Sequence, residues 1–265
     1  VNEGDNVVLT VHNELMLEQT TVHFHGLTMK GTPFMDGAAF VTQYPIMHMQ
    51  SFVYNFTAAD AGTYWYHAHM ALQYCDGLLG PVVVHKKVEP LASLYDEEIV
   101  IFLQDWYHTE GRSLATPRPD AAHWLPYALI NGASTFNCSD TEEFARWCTH
   151  VNQTNFNVKP GMRYRLRIIA GTARVGLRFA VAGHSMTVIN RQGTDMKPFV
   201  TNELFMSIAD RYDVILHADQ PIGEYLIRVK ITGCDACSAD GSVNAQPNLG
   251  HDVFATLRYQ GATPG

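Results

Sequence analysis

Short apolar runs, rich in β-branched and aromatic residues and closed off by Gly, Pro, Asn or Asp, recur along the whole chain. Residues 7–12, 51–57, 80–85, 98–103, 164–169, 177–181 and 225–231 are the clearest of them, and their composition and boundaries predict strands. Only one segment of note, residues 140–147, predicts a helix, its acidic first turn suiting the helix dipole. That helix is assigned a structural role. Many strands and one helix predict an all-β protein, and two Greek-key β-sandwich domains accommodate them. The stretch Lys86-Lys87-Val88-Glu89-Pro90-Leu91-Ala92-Ser93 follows an apolar strand with charges and a proline. The domain boundary is placed there, giving units 1–90 and 91–265.

Composition narrows the class. A chain of 265 residues, 46% hydrophobic, can bury two ordinary cores, and no apolar run approaches the length of a membrane helix. The net charge of -8 is scattered along the chain, so nucleic acid is not an expected partner. The sequons at Asn55, Asn137 and Asn152 are acceptor sites in a secretory protein and, beside cysteines, point to a secreted, extracellular location. The five cysteines are an odd number, so at least one is free or pairs elsewhere. Cys234 and Cys237 form a Cys-x-x-Cys without the βαβ context of a thioredoxin or the second pair of a zinc site.

The chemistry lies in two histidine pairs, His23-Phe24-His25 and His67-Ala68-His69, each inside a strand-like run. A strand sends residues i and i+2 to one face, roughly 6.5 Å apart along the backbone, so each pair presents two imidazoles side by side. Imidazoles without thiolate or carboxylate suit copper, zinc, iron or nickel, and the spacing leaves the metal open. One such pair at a strand edge reads as solvated surface; two, each with aromatic neighbours, read as a metal site. His12, His48, His85, His108, His123, His150, His217 and His251 show no paired spacing and read as surface or structural, and His184 as a satisfied, half-buried histidine. The ten methionines, Met47-His48-Met49 included, are too few for a methionine-rich copper-entry segment and read as packing.

The blocks around these pairs carry a family resemblance. Thr20-Thr21-Val22-His23-Phe24-His25-Gly26-Leu27, Met35-Asp36-Gly37, Gln43-Tyr44-Pro45-Ile46, Trp65-Tyr66-His67-Ala68-His69 and Gln73-Tyr74-Cys75-Asp76-Gly77-Leu78-Leu79-Gly80-Pro81 resemble, in order and spacing, the first cupredoxin domain of multicopper oxidases. Ala128-Leu129-Ile130-Asn131-Gly132, the run from Val158 to Arg167, Gly183-His184-Ser185-Met186 and Asp210-Arg211-Tyr212-Asp213-Val214 resemble the second domain of laccases and ascorbate oxidases. The ending Leu257-Arg258-Tyr259-Gln260-Gly261-Ala262 is similar to the close of that domain in animal laccases.

The resemblance implies copper, with His23 on the type 2 ion and His25, His67 and His69 on the type 3 pair of a trinuclear cluster. Asp36 resembles a carboxylate that lies behind these ligands, orienting water and relaying protons; a turn residue before Gly37 is the alternative. The cluster's other ligands and the type 1 copper belong to a third domain marked by His-x-x-His-x-His and His-Cys-His blocks. Neither block occurs here, and Cys148-Thr149-His150 lies in a polar loop between sequons. The opening residues resemble a segment well inside the first domain, so a fragment of a longer polypeptide is expected. The implied function is that of a laccase-like oxidase, coupling one-electron oxidation of a small phenol or catechol to four-electron reduction of dioxygen. A ferroxidase or ascorbate oxidase is the alternative within the class, and a non-catalytic cupredoxin scaffold the alternative outside it. By resemblance to ascorbate oxidases, Cys138 and Cys148 pair. Cys75 stands where fungal laccases bridge their first two domains, but Ala173 occupies the partner position, leaving Cys75 to Cys234, Cys237 or none. An ungapped match from Arg165 to His184 places Arg174 near the position where fungal laccases carry a carboxylate that receives the phenol proton, so the resemblance implies that this phenol clamp is absent here.

Overall fold

The computed structural model describes residues 1–114, 127–134, 151–232 and 252–263. Its first five strands are β1 (Asn6–His12), β2 (Val22–His25), β3 (Ser51–Thr57), β4 (Gly62–Ala68) and β5 (Leu79–Val84). Eleven follow: β6 (Glu97–Trp106), β7 (Tyr127–Ile130), β8 (Asn155–Val158), β9 (Arg163–Ala170), β10 (Gly176–Val181), β11 (Met186–Arg191), β12 (Thr194–Thr201), β13 (Leu204–Met206), β14 (Arg211–His217), β15 (Glu224–Thr232) and β16 (Val253–Tyr259). Each of the seven apolar runs forms a strand, with ends shifted by a few residues at most. The fold is all-β and cupredoxin-like, as expected. The predicted helix at 140–147, the Cys138–Cys148 pair, Asn137, Cys234 and Cys237 lie outside the described residues.

Two small sheets, β1-β3 and β2-β4-β5, enclose the first core. Phe24, Tyr54, Phe56, Tyr64 and Val84 fill it, each drawn from alternate positions of its strand. A six-stranded sheet, β12-β11-β14-β9-β6-β7, and a five-stranded sheet, β13-β10-β15-β16-β8, enclose the second. The strand β15 shows the ordinary half-buried pattern: Ile227, Val229 and Ile231 face the core while Arg228 and Lys230 face solvent. Burying each such side chain contributes about 1.5–3 kcal/mol.

β4 and β9 depart from that pattern, being buried along almost their whole length. The reason is that each is covered on both faces, by its own core and by the other strand's sheet. Tyr64 of β4 packs inward, while Trp65 meets Phe102 and Ile169 across the junction. Polar groups complete the contact. Asp213, fully buried, accepts from Thr63 Oγ1 at 2.6 Å, from Arg165 Nη2 at 2.5 Å and from Arg167 Nη1 at 3.2 Å. Arg167 also donates to Thr63 Oγ1 at 2.8 Å and to both oxygens of Glu98, and Arg165 donates to Glu89 at 2.8 Å. The buried charges are thus paired and hydrogen-bonded throughout, the condition under which burying them is tolerable.

Candidate metal centre

Strand register brings the two histidine pairs together. β2 and β4 run antiparallel with Val22 opposite Ala68, His23 opposite His67, Phe24 opposite Tyr66 and His25 opposite Trp65. Because side chains alternate, His23, His25, Trp65 and His67 share one face, while Val22, Phe24 and Tyr66 share the other and pack in or against the core. His69 follows the end of β4 and stays on the histidine face, its backbone N–H donating to the Thr21 carbonyl at 3.3 Å. A slip of one residue in this pairing would bury one histidine pair in the core.

The rings form one cluster. Their centroids are 5.2 Å apart for His23 and His67, 5.4 Å for His23 and His69, 5.6 Å for His23 and His25, and 5.9 Å for His67 and His69. Ring nitrogens of His23, His25 and His67 lie within 4.8 Å of one another, a spacing that metal ions can bridge. His69 is the exposed member. The indole of Trp65 stacks on both His25, at 5.1 Å, and His67, at 4.3 Å, and fixes the planes of these two rings. Its Nε1 is buried without a partner.

Hydrogen bonds choose the nitrogen that remains available. His23 Nδ1 lies 2.7 Å from the Asp36 carbonyl oxygen and His67 Nδ1 2.9 Å from that of Ala68. A carbonyl only accepts, so Nδ1 carries the proton in each ring and Nε2 keeps its lone pair for a metal. Asp36 therefore meets His23 chiefly through its backbone, with its carboxylate Oδ1 at 3.4 Å. It also ends the single turn at Pro33–Met35, so the turn role and the contact with the ligand coexist in one residue.

Burial keeps the His25 and His67 rings neutral. His25 is pushed down to about 3, first by desolvation and then by the Arg211 guanidinium and the neighbouring imidazoles. His67 is pushed down to about 4 by desolvation and by His23 and His69, against the raising effect of its bond to Ala68. Neutral imidazoles of borderline softness fit copper. Arg211 was not singled out as a site neighbour from the sequence. Its Nε donates to the Thr63 carbonyl at 3.2 Å, and a side chain at Gly26 would collide with its guanidinium, contacts between distant segments that no local pattern reveals. His184 is buried, its Nδ1 donating to the Ala182 carbonyl at 2.8 Å and its Nε2 2.6 Å from the Tyr259 hydroxyl, a satisfied core histidine.

Multicopper oxidase family models match residues 1–89 and 97–262. Laccase-4 of Trametes villosa is 39% identical over 99% of this chain and 48% of its own length, and Laccase-1 of Fomitopsis schrenkii 40% identical over 99% and 46%. Among solved structures, the laccase from Botrytis aclada superposes with a TM-score of 0.82 at 31% identity, covering 98% of this chain and 46% of that one. Fet3p, a multicopper oxidase that functions in iron import, gives 0.78 at 28% identity, covering 100% and 47%. The chain spans about half the length of the relatives it matches. These laccases are fungal, so the animal likeness of the final segment is not supported. Leu257 and Tyr259 are among the buried positions of β16, and the demands of a core strand account for that short match without a lineage.

Proposed function

The chain belongs to the multicopper oxidase family, and from that premise we propose that it is half of a laccase-like oxidase, coupling oxidation of a small phenol or catechol to reduction of dioxygen to water. The observation that carries this reading is the register of β2 on β4, which gathers four imidazoles on one face. The family implies copper. Held there, copper would supply one-electron redox steps and, as several ions together, the four electrons that dioxygen needs.

In this reading His23 holds the type 2 ion and His25, His67 and His69 hold the type 3 pair. Asp36 orients His23 through its carbonyl and can hold a proton on the carboxylate 3.4 Å from the ring. Trp65 keeps water from one side of His25 and His67 and holds their rings in place. Residues 1–90 and 91–265 are the first and second cupredoxin domains, and a third domain of the same polypeptide completes the cluster and carries the type 1 copper. Export fits the described sequons, since Asn55 and Asn152 are both exposed. No helix among the described residues is long and apolar enough to cross a membrane. A ferroxidase is the second reading, favoured by the likeness to Fet3p.

Copper content, visible and EPR spectra, and oxygen uptake with a catechol or with ferrous ion, all on the full-length native protein, test the proposal. About four coppers per chain, a blue band and a type 2 signal, with uptake driven by the catechol, are expected. Uptake with ferrous ion alone favours the ferroxidase. No copper and no uptake after copper loading leaves a scaffold.

A further inference from the structure

A groove of about 630 Å³ opens one residue beyond His69, between the segments that carry Met16, Met47 with His48, and Met70. Its walls are firmly built. Asn13, buried, donates through Nδ2 to the Glu18 and Ile46 carbonyls, both at 2.8 Å, and so joins the first two segments. Gln73, also buried, donates to Glu18 Oε2 and the Gln19 carbonyl at 2.9 Å and accepts from Thr20 Oγ1 at 2.8 Å, which fastens the third.

The carboxylates of this groove already hold hydrogen bonds or an ion pair. The Glu18 carboxylate takes Gln73 and Arg112, and Asp76 accepts from the Gly111 N–H at 2.8 Å. What remains is soft: the thioethers of Met16, Met47 and Met70, and the imidazole of His48. His48 Nδ1 lies 2.8 Å from the Leu15 carbonyl, which places the proton on Nδ1 and leaves the Nε2 lone pair unspent, the arrangement usual for a metal-ligating histidine. Met16 is 81% exposed and Met47 51%, so neither is spent on core packing, and His48 lies at the surface beside them, as its unpaired spacing suggests. Exposed methionines are flexible and unbranched and can close on an ion from three segments.

We propose that this groove binds a soft monovalent metal ion, Cu(I), through Met16, Met47, Met70 and His48 Nε2. Thioether sulfur selects Cu(I) over harder divalent ions, and both Glu18 carboxylate oxygens already have partners in Gln73 and Arg112. The site goes beyond the oxidase reading and does not depend on it: the groove can bind Cu(I) whether or not the histidine cluster turns over dioxygen.

The test is anaerobic titration of the chain with Cu(I) held by a chromophoric chelator, beside the variant M16L/M47L/M70L, which keeps volume and removes sulfur. The variant is expected to hold about one Cu(I) fewer, or to hold it roughly tenfold or more weakly, with Zn(II) uptake by the histidine cluster unchanged. Equal Cu(I) uptake by both proteins overturns the proposal. A second measurement needs no variant: on adding Ag(I) to the unaltered chain, the ε-methyl NMR signals of Met16, Met47 and Met70 should shift together. Silver bound with those three signals unmoved overturns it as well.

Discussion

Gly37 sets the position of His23. Its φ of +85° is one that L side chains rarely adopt, and a Cβ there would stand 1.8 Å from the Val22 carbonyl oxygen and 2.8 Å from the His23 Cα. The turn can therefore press against β2 closely enough for the Asp36 carbonyl to accept the hydrogen bond from His23 Nδ1. Gly37→Ala is expected to cost about 1–3 kcal/mol in denaturant melts and to weaken metal uptake by the cluster, whereas Asp36→Ala, which keeps the carbonyl, should leave uptake nearly intact. The imidazoles make a second prediction. His25 and His67 titrate near 3 and 4 in the folded chain, against 6.5 for an unperturbed histidine. Between those values the unfolded chain binds protons that the folded chain refuses, so protonation favours unfolding. The stability owed to these rings is complete above about pH 6.5 and is lost as pH falls toward 4. Thermal melts of the metal-free chain should show that fall, and His25→Gln should flatten it.

At the scale of elements, β4 carries the site because both its faces are covered. Thr63 is the polar contact that joins it to β9 and β14, giving one hydrogen bond to Asp213 and taking one from Arg167. Thr63→Val leaves both partners short inside a buried network and should destabilise by about 1–3 kcal/mol, with Thr63→Ser restoring most of the loss; chemical denaturation reads both. Asp213→Ala, which removes the fully buried carboxylate that Arg165 and Arg167 share and leaves them only Glu89 and Glu98, should cost about 3–5 kcal/mol. The strands themselves were legible, since β-branched runs bounded by turn residues mark β1, β3, β5, β6, β9, β10 and β15. So were the histidine pairs, through period-two spacing. The meeting of His23 with His67 was legible only through the family resemblance and not through spacing, because register depends on partners more than forty residues apart. Nor was the inward turn of Arg165 and Arg167: on an isolated strand, alternating arginines mark the solvent face, and only the packing of β4 against β9 buries them.

Across the whole molecule, the two halves also meet around Cys75, a free thiol only 3% exposed, beside Tyr107 and with Ala173 packed against it. The contact is held from the other half by buried Asp105, which accepts from the Ala173 N–H at 2.9 Å, the Arg174 N–H at 3.0 Å and the Tyr107 hydroxyl at 2.8 Å. Burial, then Asp105 and Asp76, push the Cys75 thiol up to about 12, so the native chain should resist iodoacetamide and react only once unfolded. The same packing makes Ala173 the place to tie the halves covalently. Ala173→Cys, oxidised, would close a loop of roughly one hundred residues and restrict the unfolded chain far more than a local bridge does, a gain of about 2–4 kcal/mol where the geometry is unstrained. The expected result is a higher denaturation midpoint for the oxidised variant than for its reduced form. A bridge that forms without raising the midpoint would mean that the junction is strained by the link. A pair of thiols that stays reduced in oxidant would mean that the loop at 173–174 does not approach Cys75 closely enough in solution, and that the junction rests on β4 and β9 alone.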